Sequence, residues 1–174
     1  KYLSSNDDEP SSELKNLEKK DKKKQETNSL HKNVKRKFKT NKTISRGIDD
    51  IWQADLGDIL NISKYNSGYK FLLTCIDIFS KYAWVISLKN KSSEEVEKAF
   101  SKIFKERHPQ KLNTDKRKEF LNTKRQAFFD KNKIKWYTTN SDYKASVVER
   151  FNRTLKQKMW GYFTHFTTYT YIDI

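Results

Sequence analysis

The sequence has few of the residues on which disulfide-stabilised and zinc-binding domains depend. Its 174 residues include one cysteine, Cys75, and three histidines that are far apart in the chain. A single cysteine cannot build a disulfide framework, and separated histidines without cysteine partners do not have the ligand spacing of a zinc finger. Both classes of small domain are therefore excluded.

Long apolar runs are also missing. The longest apolar stretches of the chain are only a few residues, whereas a membrane-spanning helix needs roughly 20 apolar residues. No apolar region of the kind found in a secretory signal occurs near the N-terminus. We therefore expect an intracellular protein without a membrane partner.

Acidic residues are in the minority. The chain has 37 Lys and Arg against 22 Asp and Glu, which gives a formal net charge of +15. Such an excess favours an anionic partner such as nucleic acid. A soluble protein from a proteome rich in Lys and Asn would show the same excess, so charge leaves both interpretations open.

Residues 1–46 differ in composition from the rest of the chain. They are polar, rich in Lys, Glu and Ser and almost free of aromatic residues, so they cannot bury enough apolar area to offset the entropy of ordering. This predicts a disordered basic segment, with a fraying helix around "SSELKNLEKKDKKK". The stretch "KNVKRKFK", residues 32–39, is typical of a nuclear-localisation signal or a phosphate-binding arm, and a solvated tail is the alternative. The expected location is the nucleus.

Residues 47–174 show the pattern of an α/β domain. The alternation in "IWQADLGDIL" predicts a strand with Trp52, Ala54 and Leu56 on one face and Gln53 and Asp55 on the other. Two apolar stretches, "YKFLLTCIDIF" and "SKYAWVISLKN", predict the next two strands of an antiparallel meander. The complete order, β-β-β-α-β-α-β-α, predicts a mixed sheet with helices on its faces.

The stretch "KASVVERFNRTLKQKMWGYF" predicts the last helix, which Gly161 is expected to weaken or end. The apolar stripe that should face the sheet comprises Val148, Phe151, Leu155 and Met159. Glu149, Arg153 and Lys156 fall within about 60° of one another around the same helix. Glu149 therefore heads a basic ridge at the edge of the buried stripe.

Three acids stand out by their positions. Asp55 lies in the first strand, Asp115 ends the fourth strand, and Glu149 is on the last helix. Such acids could converge at strand ends and bind divalent cations, which prefer carboxylate oxygens. Spacing alone is weak support, because some trio among 22 acids will always look arranged. Asp77 could also lie beside the site, and the alternative is an acid that bonds nearby backbone or Ser80.

Four stretches in this order, "IDDIWQADL", "YKFLLTCIDIFSKYAWVISLKNK", "KLNTDKRKEF" and "KASVVERFNRTLKQKMW", resemble the integrase catalytic core. The resemblance is closest to the integrases of Maverick/Polinton DNA transposons, which are related to retroviral integrases. It implies an RNase H-like fold. It also implies a DNA integrase that trims the 3′ ends of its element and joins them to target DNA, and that works as a multimer on paired ends.

The resemblance also assigns roles to residues of this sequence. The two aspartates and one glutamate of the family's catalytic signature fall on Asp55 in "QADL", Asp115 in "NTDK" and Glu149 in "VVERFN". We expect Asp55 and Asp115 to hold one Mg²⁺ or Mn²⁺ ion, and Asp55 and Glu149 to help hold a second. The cations expected at DNA phosphates are Lys116, Lys144, Arg150, Arg153 and Lys156.

The sequence also departs from the family pattern. Arg117 stands where family members usually carry a Gly, two residues after the second aspartate. Related integrases also continue beyond the position of Ile174, so we expect residues 47–174 to be a catalytic core that is truncated at its C-terminal end. The alternatives are a decayed or domesticated integrase-like domain that only binds DNA or a partner, an RNase H-like nuclease that acts on RNA–DNA hybrids, and a basic structural protein with no site.

Overall fold

The computed structural model describes residues 12–31, 43–115, 123–139 and 145–172, which contain both helices and strands. The elements are α1 Ser12–Leu30, β1 Ile51–Asp58, a 3₁₀ helix Leu60–Tyr65, β2 Phe71–Asp77, β3 Ala83–Leu88, α2 Ser93–Glu106, β4 Lys111–Asp115, α3 Thr123–Lys131, β5 Lys135–Thr139 and α4 Ser146–Phe166. Apart from α1 and the 3₁₀ helix, this is the order that the sequence predicts.

A five-stranded mixed sheet with the strand order β3-β2-β1-β4-β5 lies at the centre of the fold. Strands β1, β2 and β3 form the predicted antiparallel meander. Strands β4 and β5 run parallel to β1, because α2 and α3 return the chain to the same end of the sheet. The first strand therefore occupies the middle of the sheet, with an antiparallel neighbour on one side and a parallel neighbour on the other.

The two faces of β1 serve different layers, as its alternating sequence predicts. Trp52, Ala54 and Leu56 are buried in the main core with α2 and α3. The α2 side chains in that core are Val96, Ala99, Phe100 and Ile103, which is the stripe that helical spacing predicts. Ser92 caps the start of helix α2, where its side chain accepts a hydrogen bond from the backbone N–H of Glu95.

Helix α4 covers the opposite face and contacts β1 and β2. Its predicted stripe faces the sheet, with Val148 fully buried against Ile76 and Met159 buried beside Leu72. The prediction of a mixed sheet with helices on both faces is thus confirmed. Of the two effects expected of Gly161, weakening or ending the helix, the second does not occur, because α4 continues to Phe166.

The N-terminal segment differs from its predicted disorder, since residues 12–30 form helix α1. The expected fraying helix is longer than its sequence pattern indicates because it packs on α4. Thr27 is buried there, and the added Cβ of a residue at Gly161 would lie 3.9 Å from its methyl group. His31 Nε2 lies 3.0 Å from the hydroxyl of Thr164. Residues 1–11 and 32–42, which include "KNVKRKFK", lie outside the described residues.

The aromatic end of the chain folds back onto its own domain. Asn66, which is fully buried, donates to the carbonyls of Ile62 and Tyr169 at 2.8 Å each and accepts from the backbone N–H of Tyr171 at 2.7 Å. Tyr169 stacks on Tyr65 with ring centroids 5.2 Å apart. These aromatic residues therefore pack within the chain, through contacts that their sequence pattern does not specify.

Arg107 joins the two ends of the β1–β2 hairpin. Its guanidinium lies 2.6 Å from Asp49, which precedes β1, and 2.9 Å from Asp77, which ends β2. Asp77 also accepts from the hydroxyl of Ser80 at 2.5 Å and from the backbone N–H of Phe79 at 3.1 Å. Burial raises the pKa of Asp77, but the hydrogen bonds outweigh burial and hold that pKa below its ordinary value. Asp77 is the structural acid that one interpretation of the sequence predicts.

Candidate active site

The parallel pairing of β1 with β4 aligns two of the three predicted acids. The register runs from Ile51 opposite Lys111 to Ala54 opposite Thr114, and one further step places Asp55 opposite Asp115. Paired strands are about 4.8 Å apart, and aligned residues of a parallel pair point to the same face. Both aspartates therefore belong to the face that α4 covers, at the point where β4 ends.

Two side chains of β1 hold α4 over this face. The amide oxygen of Gln53 accepts hydrogen bonds from the backbone N–H groups of Val147 and Val148, both at 3.0 Å. Two residues along the strand, Asp55 Oδ2 accepts from Asn152 Nδ2 at 2.8 Å. The start of α4 is thus fixed directly above the strand that carries the first aspartate.

Glu149 lies one helical turn from the residue that bonds Asp55. Positions three residues apart share one side of a helix, so Glu149 and Asn152 project from neighbouring levels of α4. Glu149 is exposed, and its backbone N–H makes the first bond of the helix, to the carbonyl of Ala145 at 3.0 Å. Its backbone is therefore fixed, while its side chain reaches into solvent at the edge of the site.

The neighbourhood of Asp55 contains hydrogen-bond donors to its carboxylate and two buried amide oxygens on adjacent elements. Its Oδ1 accepts from the backbone N–H of Leu56 at 2.8 Å. The amide oxygens of Asn152 and of Asn113 are buried and have no hydrogen-bond partner among the described residues. Asn113 precedes Asp115 by two residues, so it lies on the same face of β4. A buried acceptor of this kind calls for an ordered water or an ion, and hard divalent cations bind such oxygen ligands.

The three acids do not form a ready metal-binding cluster. Among the residues that the structure describes, no group of three or more His, Cys, Asp or Glu side chains is arranged to hold a metal ion. The fold aligns Asp55 with Asp115, and it brings the helix that carries Glu149 against the same strand. The donor chemistry suits Mg²⁺ or Mn²⁺, and the third ligand would have to come from the exposed side chain of Glu149.

The remaining predicted residues fall into two groups. Arg150, Arg153 and Lys156 are exposed on α4, and Arg150 also lines a cleft of about 610 Å³ together with Lys81. Two predicted cations, Lys116 and Lys144, lie outside the described residues, and so does Arg117. Asp58, three residues after Asp55 in β1, is exposed and accepts a hydrogen bond from the backbone N–H of Leu60.

Comparison with known proteins identifies the domain. Residues 47–144 match the family model of the integrase core domain. This chain belongs to the integrase core domain family. The matched range contains the meander, the parallel strands and both aligned aspartates.

Relatives of this integrase-like chain include an uncharacterized transposon-derived protein of Caenorhabditis elegans, which is 38% identical over 113 residues. That match covers 64% of this chain and 40% of the relative, so the chain spans well under half the length of the curated protein. The catalytic core of HTLV-2 integrase has been solved with magnesium in a dimeric and a trimeric form.

The dimeric form of that core is 28% identical, with a TM-score of 0.55 over 67% of this chain and 73% of the other. The trimeric form is also 28% identical, with a TM-score of 0.54 over 66% and 72%. The predicted integrase-like fold is confirmed. None of the helices in the described part of the chain is long and apolar enough to cross a membrane.

Sequence reasoning did not single out Gln53 and Asn152 as parts of the site. Both have a recognisable signal. Gln53 precedes Asp55 by two residues on a strand, and Asn152 follows Glu149 by three residues on a helix, so each shares a face with a predicted acid. A polar side chain at those offsets can bond across the interface between strand and helix.

Proposed function

We propose that this chain is the catalytic core of a DNA integrase or transposase that trims the 3′ ends of its element and joins them to target DNA. One observation carries the proposal. The sequence of each strand continues with an aspartate, Asp55 or Asp115, directly after the last aligned pair of β1 and β4, Ala54 opposite Thr114, and Asp55 bonds the helix that carries Glu149. Phosphoryl transfer depends on positioning and charge neutralisation more than on covalent chemistry by the protein, and aligned acids on a rigid sheet supply such positioning.

Asp55, Asp115 and Glu149 would hold two Mg²⁺ or Mn²⁺ ions, with Asp55 shared between them. When bound, such a pair activates an attacking water or 3′-hydroxyl and stabilises the leaving oxygen. The solved HTLV-2 integrase core in complex with magnesium supports this choice of metal. Asn152 orients the carboxylate of Asp55 through its 2.8 Å hydrogen bond.

The exposed cations of α4 would position the DNA. Arg153 and Lys156 lie one and two turns beyond Glu149 on the helix, where they can contact phosphates of a strand held at the acids. Such contacts fix the register of the nucleic acid without reading its sequence. Origin from a Maverick/Polinton element, assembly into homo-oligomers on paired ends, and action in the nucleus belong to the same proposal.

The test is the variant Asp115→Asn in a nicking assay on duplex DNA with Mg²⁺ or Mn²⁺. An amide keeps the size of the side chain but removes the charge that binds a cation, so we expect metal-dependent nicking to disappear while DNA binding persists. Asp130→Asn, at an exposed acid of α3, is the matched control and should cut normally. Nicking by Asp115→Asn at the wild-type rate would refute the assignment.

A DNA-binding domain without cutting activity is the second candidate. The observation that favours it is the lack of a three-acid group among the described residues. Titration of Mg²⁺ or Mn²⁺ against thermal stability separates the two functions, because a ligand of the folded state raises the melting temperature. We expect a rise in the wild type that Asp115→Asn reduces, whereas the second candidate predicts no rise in either protein.

A further inference from the structure

The first turn of α4 is capped by another element of the fold. The first N–H groups of a helix lack partners within the helix, and a side chain at the N-cap position usually accepts from the second or third of them. The N-cap residue here is Ala145, which makes no side-chain cap. Gln53 Oε1 instead accepts from both Val147 and Val148 at 3.0 Å, which are the second and third residues of the helix.

This cap comes from within the core. Gln53 is 1% exposed, and Val148 is fully buried. A buried side chain that makes two hydrogen bonds has little freedom to move, so the start of α4 takes its position from β1. Because β1 also carries Asp55, one strand fixes both the first aspartate and the backbone of the helix turn beside it.

Glu149 lies between the two attachments of α4 to β1. Gln53 holds the backbone at Val147 and Val148, and Asp55 holds Asn152 at 2.8 Å. The side chain of Glu149 is exposed, so packing does not set where its carboxylate reaches. The attachment of the backbone on either side therefore sets the volume that this carboxylate can sample.

We propose that Gln53 is a positioning residue that, by capping the first turn of α4, keeps Glu149 within reach of the cations held by Asp55 and Asp115. This inference rests on the proposed function. Because the side chain of Gln53 is buried and bonds the backbone of α4, its effect would pass through that backbone.

The test compares Gln53→Leu with Gln53→Glu in the full chain. Leucine has a similar volume but no acceptor, whereas a carboxylate keeps an acceptor for the same two N–H groups. The first readout is amide hydrogen exchange. We expect Gln53→Leu to lose protection at Val147 and Val148 while Met159 keeps it, and Gln53→Glu to restore protection. Wild-type amides of Val147 and Val148 that exchange as freely as an uncapped helix end would overturn the inference, even if Gln53→Leu failed to fold.

The second readout is the Mg²⁺ or Mn²⁺ concentration that gives half of the thermal stabilisation. We expect Gln53→Leu to raise that concentration by about tenfold, as loss of a partner that orients a metal ligand does, and Gln53→Glu to recover most of it. Ile103→Val, on the other face of the sheet, is the control for a general loss of stability and should leave the concentration unchanged.

The outcomes separate this inference from the proposed function. A wild type that responds to metal, together with a Gln53→Leu variant that responds at the same concentration, would overturn the positioning role and leave the proposed function in place. An equal shift in Ile103→Val would also overturn it, because general destabilisation would then explain the effect. A wild type that responds to neither metal would overturn the two-metal function and the positioning role together.

Discussion

The ion pairs of Arg107 connect the start of β1 with the end of β2, and the variant Arg107→Met tests how much they stabilise the fold. Methionine retains an unbranched apolar chain but removes the guanidinium, which bonds Asp49 and Asp77. The guanidinium also lies over the ring of Trp84, 5.3 Å from its centroid. The variant therefore leaves the carboxylate of Asp77 buried without its ion partner.

The expected decrease in the free energy of unfolding follows from the exposure of the three charged side chains. The side chain of Asp77 is fully buried, whereas those of Arg107 and Asp49 are 23% and 29% exposed. Removal of one partner from a buried pair costs about 3–5 kcal/mol, and an exposed pair contributes about 0–1 kcal/mol. Asp77 keeps its bonds from Ser80, so we expect a loss of about 3 kcal/mol, near the lower end of the buried range, and a melting temperature about 10 °C lower.

Urea denaturation followed by circular dichroism measures this loss. Lys105→Met, at an exposed cation in the last turn of α2, is the matched control and should stay within about 0.5 kcal/mol of the wild type. A loss below about 1 kcal/mol in Arg107→Met would refute the reasoning, because the pair with Asp77 would then behave as an exposed one.

The same pair predicts how stability depends on pH. The pKa of folded Asp77 is below its ordinary value, so its stabilisation is complete above the unfolded pKa and disappears as pH falls through the folded pKa. In Arg107→Met one bond that lowers this pKa is gone, while burial still raises it. With that pKa raised, protonation of Asp77 costs the variant less of its folding free energy than it costs the wild type. The variant should therefore lose less stability as pH falls, and the difference between the two proteins should shrink once Asp77 is protonated in both. Urea midpoints measured between pH 7 and pH 3 check this, and parallel curves would contradict it.

Two further predictions concern the C-terminal segment and the basic ridge. Asn66→Ala removes a buried amide that bonds three backbone groups, so it should lower the free energy of unfolding by about 2–3 kcal/mol, as urea denaturation can measure. Amide hydrogen exchange at Tyr171 should become faster in this variant, and unchanged exchange would show that Asn66 does not anchor the C-terminal segment. Lys156→Glu should weaken DNA binding and make it depend less on salt concentration, because fewer counterions are released on binding. The control Lys102→Glu, on α2, should bind DNA normally. If the salt dependence of binding were unchanged in Lys156→Glu, the basic ridge would not be part of the DNA interface.

Local patterns predicted the elements of this fold because their causes are local. The alternation around Ala54 predicts a strand with two different faces, since side chains of a strand alternate with a period of two. The short spacing between Asp77 and Ser80 predicts their contact. The ion pair of Asp77 with Arg107 could not be predicted in this way, because those residues are 30 positions apart in the chain.

In the candidate site, too, local patterns predicted some features, whereas contacts between distant residues could not be predicted. Asp55, Asp115 and Glu149 were identified from strand positions and from family resemblance, and the strand pairing explains how two of them align. Gln53 was predicted only to face away from Trp52. Its two bonds to α4 span more than 90 residues of sequence, and no periodicity within β1 indicates which helix will cover that face.

Periodicity and short motifs act over a few residues, so they specify most of the elements, the face that each apolar stripe buries and the family of the domain. Long-range packing specifies that α1 contacts α4, that Gly161 lies inside a continuous helix, and that β1 caps the helix that carries Glu149. Each of these depends on groups far apart in the chain, and the free energy of burying a polar group is favourable only where the fold supplies its partner.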